Sequence, residues 1–381
     1  MKIVWANFLH LYQPPFQNPL LVKEIDKESY QFIISFLKKN PKTKISINLT
    51  GSLLELLVEC GFKKTILEFK KLVKAGQIEL LGTAMYHPIL PLLPTEEIIH
   101  QINLNKKILT KHFGKLFKPS GFYCPEMAYS QRVGKIVKDL GYQWLILDDI
   151  HNPHNDRLRK SHVDEKTGLK IVFRNRQHSK AYPFDAVSDM LKKKYATDQY
   201  VITATDGEMY GHHHKDEVDS TNQVLKNKNI ETIFVSEMIT RLPAGKKMSL
   251  RETTWETLNE ELDDNPFPLW KDPKNTLHQM LWQLAEVAMR ANKKYNSDKK
   301  NFWARKHLDQ GLASCTWWWA SSRQPDVFSP ITWNPDEIEK GMNNLIRSIR
   351  SLDKAPENVK IKAEALYAKL YQKVWQKHWK K

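Results

Sequence analysis

Short apolar, β-branched or aromatic runs recur through the first two thirds of the chain, at 2–8, 44–49, 77–81, 121–124, 143–147, 170–173, 200–204 and 232–235. Most of them adjoin segments with helical periodicity, such as 27–39, 53–75, 95–113 and 131–140. Strands that alternate with helices pair in parallel, because each crossover helix returns the chain to the same end of the sheet. Seven or eight such units predict a closed or nearly closed α/β barrel. Punctuation agrees: Lys39-Asn40-Pro41 ends one helical pattern and Ala75-Gly76 caps another. After about residue 245 the strand-like runs stop and long helical patterns take over, at 276–295, 302–320, 335–352 and 358–379. The expected division is a (β/α)-type barrel over 1–250 and a helical C-terminal domain over 251–381 that completes its cleft.

With 41% hydrophobic and 27% charged residues in 381, the chain is globular rather than disordered. No run approaches the roughly 18 apolar residues of a membrane span. Residues 1–8 read as a first strand, not as a secretory leader. Cys60, Cys124 and Cys315 are odd in number, far apart and without metal-ligand spacing. Together these features predict a cytoplasmic protein. Lys and Arg number 59 against 43 Asp and Glu, a net charge of +16. The lysines are scattered over predicted helices with no nucleic-acid motif beside them. A solvated surface is expected, with nucleic acid bound only non-specifically at low salt.

Two segments place a carboxylate where a buried strand ends. Residues 201–204 run into Thr205-Asp206-Gly207-Glu208-Met209-Tyr210-Gly211, and 121–124 run into Pro125-Glu126. The carboxyl ends of strands in parallel α/β folds are where ligands bind. Two carboxylates at two strand ends are what glycosidic bond cleavage requires. The first strand ends in His10-Leu11-Tyr12-Gln13-Pro14-Pro15, which sets His10, Tyr12 and Gln13 at the same mouth. Glu79 lies inside an otherwise apolar strand, as a structural ion-pair member or as a ligand of sugar hydroxyls. His212-His213-His214 has zinc-ligating residue types, but no third ligand at a recognised spacing. Twelve tryptophans, among them Trp255, Trp270, Trp282 and the Trp317-Trp318-Trp319 triplet, offer core packing or faces for pyranose rings.

Taken in order, these segments resemble glycoside hydrolase family 57, the retaining α-glucan enzymes, over nearly the whole chain. His10-Leu11-Tyr12-Gln13-Pro14 is similar to the family's His-x-His-Gln-Pro, residues 76–82 to its second motif with Glu79 at the carboxylate position, and Pro125-Glu126 to its third. Asp206-Gly207-Glu208-Met209-Tyr210-Gly211 resembles the fourth, and Asn265-Pro266-Phe267-Pro268-Leu269-Trp270, continuing to Asn275 and His278, is the best match to a fifth. The resemblance implies an incomplete (β/α)7 barrel followed by a C-terminal α-helical domain. It implies α-amylase or 4-α-glucanotransferase chemistry on an α-glucan or oligosaccharide. Glu126 takes the nucleophile's place and Asp206 that of the acid/base. His10, Tyr12, Gln13, Glu79, His212 and Trp270 are the expected substrate contacts, with no cofactor and no metal. Tyr12 replaces the family's second histidine, which bears on specificity more than on activity. Two other readings stay open. A metal-dependent polysaccharide deacetylase leaves Glu126 without a task, and a non-catalytic glucan- or polyanion-binding protein does not call for both carboxylates.

Overall fold

The structure, a computed structural model, describes residues 1–154, 160–180, 182–217, 219–262, 264–296, 301–323 and 331–380. The chain forms two compact units. The first comprises Met1–Gln13, Gln17–Met85 and Leu90–Trp255, and the second Pro14–Phe16, Tyr86–Ile89 and Glu256–Lys381.

The strands of the first unit are β1 (Ile3–Leu11), β2 (Ile45–Leu49), β3 (Ile78–Leu81), β4 (Gly121–Phe122), β5 (Trp144–Asp148), β6 (Ser161–Asp164), β7 (Lys170–Arg174), β8 (Gln199–Asp206), β9 (Ile230–Thr232) and β10 (Ala244–Met248). Parallel ladders run β3-β2-β1-β8 and β4-β5-β7. Two thinner seams join these ladders into a ring. Between β3 and β4 there is a single parallel bridge, Gly82 to Phe122. Between β7 and β8 the Asn175 N–H donates to the Ile202 carbonyl at 2.8 Å. The ring of seven parallel strands is thus an incomplete (β/α)7 barrel. One cause is local: β6 pairs antiparallel with Lys170 and Ile171 at the start of β7, leaving its last residues to reach β8.

β1 is the most enclosed strand, buried at every position, with β8 along one edge and β2 and β9 sharing the other. That explains its near-continuous apolar sequence, since a parallel strand covered on both faces has no solvent side to encode. Helices α1 (Pro19–Ile25), α2 (Gln31–Lys39), α3 (Gly51–Glu59) and α4 (Lys63–Lys74) follow β1 and β2. Tyr30, Ile33, Leu37, Phe69 and Leu72 belong to one buried cluster with Trp5, Ile47 and Val201. Full burial of each large apolar side chain contributes roughly 1.5–3 kcal/mol.

Several predicted helices are divided. The 53–75 pattern is α3 and α4, separated at Gly61, whose φ of 86° no helix accommodates. The 27–39 pattern begins with a π turn, Asp26–Tyr30, before α2. Strand character also continues to Met248, because β10 extends the sheet beside β6.

The second unit contains α5 (Thr276–Tyr295), α6 (Phe302–Gly311), α7 (Cys315–Ala320), α8 (Pro335–Arg350) and α9 (Glu357–Trp379). The expected helix 302–320 is α6 and α7, broken around Leu312-Ala313-Ser314. Asn275 and Asn334 cap α5 and α8 through their side chains, and Pro335 occupies the first turn of α8. Of the tryptophan triplet, Trp317 is buried and stacks on Trp282 at 4.4 Å, whereas Trp318 and Trp319 are half-buried.

Candidate active site

Asp206 is the last residue of β8 and lies in register with His10 on β1. His10 is in turn in register with Asn48 on β2, and its Nδ1 lies 2.5 Å from the Asn48 Oδ1. Regular parallel pairing therefore sets these three residues at one level of the barrel mouth. Burial lowers the His10 pKa to about 4 against the opposing hydrogen bond to the Asn48 amide oxygen, so the imidazole is neutral at neutral pH.

Glu126 arrives differently. β4 is two residues long, and Pro125, Glu126 and Met127 form a short turn in which Glu126 has φ 57° and Met127 φ 47°. Left-handed conformations at non-glycine residues cost of order 1–3 kcal/mol each and persist only where the surroundings enforce them. Here the Trp255 N–H donates to the Glu126 carbonyl at 3.2 Å, and the Tyr129 N–H to the Thr253 carbonyl at 3.0 Å. The buried His151 Nε2 lies 2.9 Å from the Met127 carbonyl and 3.1 Å from that of Thr253. The Trp255 indole N–H donates to Glu126 Oε2 at 2.8 Å.

Tyr123 joins the two carboxylates electrostatically. Its fully buried phenol is held well above its ordinary pKa by burial first, then by the charges of Glu126 and Asp206. Its ring lies 4.8 Å from that of His10 and 6.0 Å from that of Trp255. Tyr12 stacks on His10, with ring centroids 5.9 Å apart. The expected Glu126, Asp206, His10 and Tyr12 thus share one aromatic-walled site.

The remaining expected residues are placed otherwise. Gln13 is buried and donates to Glu208 Oε1 at 2.8 Å, where the Tyr30 hydroxyl also donates at 3.1 Å. His212 turns to Glu28, with Nδ1 2.7 Å from its carboxylate, while His214 faces Asp185 at 3.4 Å and stacks on Tyr182. His212 and His214 therefore do not converge on one point. Glu79 is the second residue of β3 and accepts from the Ser46 hydroxyl at 2.7 Å and the Ser236 N–H at 3.4 Å. These partners are a hydroxyl and a backbone N–H rather than the cation of the expected ion pair. The Glu79 pKa is raised by burial, partly offset by those donors. Trp270 lies outside regular secondary structure, its side chain is buried in the helical unit, and its carbonyl accepts from the Trp282 indole at 2.8 Å.

Sequence reading passed over a second charged layer. β5 ends in Asp148, followed by Asp149, and β7 ends in Arg174. Arg174 Nε donates to Asp148 Oδ2 at 2.5 Å, and its Nη1 donates to the Ala204 carbonyl on β8 at 2.8 Å. Burial opposes ionisation of Asp148, but Arg174 and Arg176 outweigh it and its pKa is lowered. Asp149 is pushed up to about 7, by burial first and then by the Asp148 charge. The signal was present in Trp144-Leu145-Ile146-Leu147-Asp148-Asp149, a buried run ending in carboxylates like the two that were singled out.

Residues 7–251 match the profile of a family described as Glycosyl hydrolase family 57. A putative alpha-amylase of Methanocaldococcus jannaschii is 29% identical over 225 residues, 53% of this chain and 47% of that protein. A 4-alpha-glucanotransferase of Thermococcus litoralis is 26% identical over 144 residues, 38% of this chain and 21% of that protein. The matched segments span about half or less of these relatives. Among solved structures, the Thermococcus litoralis 4-alpha-glucanotransferase superposes with a TM-score of 0.72 at 18% identity, covering 92% of this chain and 60% of that one. A GH57-type branching enzyme of Pyrococcus horikoshii gives 0.69 at 15% identity, covering 98% and 96%. At such identities the superpositions establish the fold alone. The profile match covers well over half of the chain, and its span contains both strand-end carboxylates. The chain belongs to glycosyl hydrolase family 57.

Proposed function

We propose that the protein is a retaining glycoside hydrolase or transglycosidase acting on α-glucans, with Glu126 as nucleophile and Asp206 as acid/base. The carrying observation is geometric: Asp206 is in register with His10, whose ring lies against those of Tyr123 and Trp255, and the Trp255 indole donates to Glu126, 80 positions from Asp206 in sequence. In this reading an ionised Glu126 attacks the anomeric carbon while Asp206 donates its proton to the departing glycosidic oxygen. The C–O bond to the leaving group breaks as the ester bond to Glu126 forms. Asp206 then takes a proton from the acceptor, whose oxygen displaces Glu126 and regenerates the carboxylate. Water as acceptor gives hydrolysis, and a sugar hydroxyl gives transfer. The neutral His10 and the Tyr12 ring beside it supply a polar edge and an aromatic face for one sugar.

The names of the relatives, alpha-amylase and 4-alpha-glucanotransferase, favour maltooligosaccharides as first substrates. Incubation with maltoheptaose, wild type beside Glu126→Gln, tests this reading by product length and anomeric configuration. Shorter α-anomeric products identify a retaining hydrolase, and longer chains a transferase. Full turnover by Glu126→Gln refutes the nucleophile assignment.

A further inference from the structure

We propose that the second unit carries a binding site for a phosphorylated sugar, in the cavity between the start of α5 and the last turns of α9. The cavity has a volume of about 810 Å³ and lies wholly within this unit. Lys274, Lys369, Lys373, Lys377 and Lys380 line it, against one carboxylate, that of Asp272. Leu277 is the one large apolar residue of the wall. A wall of this composition offers little to an apolar ligand and attracts an anion.

The sequence of α9 sharpens the demand for an anion. Lys369, Lys373 and Lys377 recur at every fourth position, so they stack along one face of the helix, where like charges repel. No Asp or Glu occurs from 365 to 380 to neutralise them. Lys377 and Lys380 gain from the negative end of the helix, but Lys369 and Lys373 precede its last turn. Among the described residues, the ammonium groups of Lys274, Lys369, Lys373 and Lys380 form no ion pair, whereas those of Lys38, Lys44, Lys71 and Lys340 each do. Lys377 is anchored: its Nζ donates to the Ser322 hydroxyl at 2.7 Å and lies 4.7 Å from the centre of the Trp333 ring. A phosphate in the cavity replaces repulsion between these ammonium groups by charge-assisted hydrogen bonds, and the positive end of the α5 dipole adds to the attraction. The rest of the wall selects the sugar. Thr276, Gln372 and Gln376 supply neutral donors and acceptors of the kind that pyranose hydroxyls pair with. The volume also exceeds what a phosphate ion alone fills.

The test is calorimetric titration of the full chain with glucose 6-phosphate at an ionic strength of about 0.15 M, where exposed charges beyond about 8 Å are screened. Glucose, inorganic phosphate and maltoheptaose carrying one 6-phosphate are titrated alongside. Glucose 6-phosphate is expected to bind, and more tightly than either glucose or inorganic phosphate. Tighter binding of the phosphorylated maltoheptaose identifies a phosphate ester on a glucan as the ligand, and weaker binding a free sugar phosphate. Lys369→Gln together with Lys373→Gln is expected to weaken binding about tenfold or more, the loss that goes with hydrogen bonds to a charged group. Both side chains are exposed and glutamine is a good helix former, so the urea midpoint is expected to match wild type. Lys106→Gln together with Lys107→Gln removes the same charge from the first unit and is expected to bind as wild type does. An equal loss in the two double variants overturns the proposal, because the net charge of +16 then holds the anion without a site. No binding by wild type overturns it as well, and so does inorganic phosphate binding as tightly as glucose 6-phosphate. Glu126 and Asp206 belong to the other unit, so the outcome is independent of the roles proposed for them.

Discussion

The two carboxylates of the site are delivered by different physics. Asp206 closes an eight-residue strand whose every rung is paired to β1, so its position follows from a ladder that begins at Ile3 and Gln199. Glu126 follows a two-residue strand, in a turn with two successive left-handed residues. It is held by groups from Thr253, Trp255 and, through the neighbouring Met127 carbonyl, His151. Regular pairing is cheap and local in its rules, whereas a strained turn exists only when distant residues already enclose it. Asp206, the proposed acid/base, is therefore positioned by secondary structure, and Glu126, the proposed nucleophile, by tertiary structure.

The largest effect expected from breaking this pair is at Glu126. Glu126→Gln is expected to lower kcat by about 10⁴-fold or more, whatever the leaving group, because in the proposed mechanism no other group forms the ester. Asp206→Asn is expected to cost about 10²–10⁴-fold on maltooligosaccharides. Its first step is expected to recover on aryl or fluoride glycosides, whose leaving groups need no proton. Steady-state kinetics on both substrate types separates the two roles, and equal losses on both by the two variants remove the distinction.

The next effect concerns pH. The folded pKa of His10 lies near 4, below the ordinary histidine value of about 6.5. Between those values the unfolded chain binds the proton that the folded chain refuses, so stability falls as pH drops from about 6.5 to 4. The loss approaches about 3 kcal/mol for this one residue. Urea unfolding of wild type and His10→Gln at pH 7, 5.5 and 4.5 checks it, with a shallower decline in the variant. His278 in the helical unit, buried and also lowered to about 4, supplies the same sign of dependence there.

Gly211→Ala sharpens the contrast at the β8 side. Gly211 has φ 93°, and a Cβ there meets the Glu28 carbonyl oxygen in a contact that backbone cannot relieve. A loss of about 1–3 kcal/mol is expected, read as a lower urea midpoint. The smallest effect is expected from Glu79→Gln. With Glu79 bonded to Ser46 and Ser236, turnover should stay within about twofold and stability should change by about 1 kcal/mol. A hundredfold loss of turnover there would return Glu79 to the substrate contacts.

The parallel strands of the ring were legible because doubly covered strands are written as apolar runs; β6 and β10, at its edge, were not, and neither were the helix breaks at Gly61 and around Ala313, because the helical period continues across them. Asp206 and Glu126 were legible as carboxylates after buried runs. Asp148 carried the same signature and was passed over, and its meaning emerges only with Arg174, which the β5–β7 ladder sets beside it. Trp270 and Trp255 show the limit most plainly. Both are tryptophans outside regular secondary structure, yet one is sealed in the helical unit and the other grips Glu126.

By itself the sequence determined the alternation of strand and helix, the order of the motifs, and the residue types at the strand ends. Those properties depend on neighbours a few positions away, where hydrophobic period and turn chemistry decide. Tertiary structure decided which of those residues meet. Closing the ring brings Tyr123 within the field of residues 80 positions apart and places Trp255 against a carboxylate 129 positions earlier. No local propensity encodes such encounters, because their free energy exists only once the intervening chain has packed.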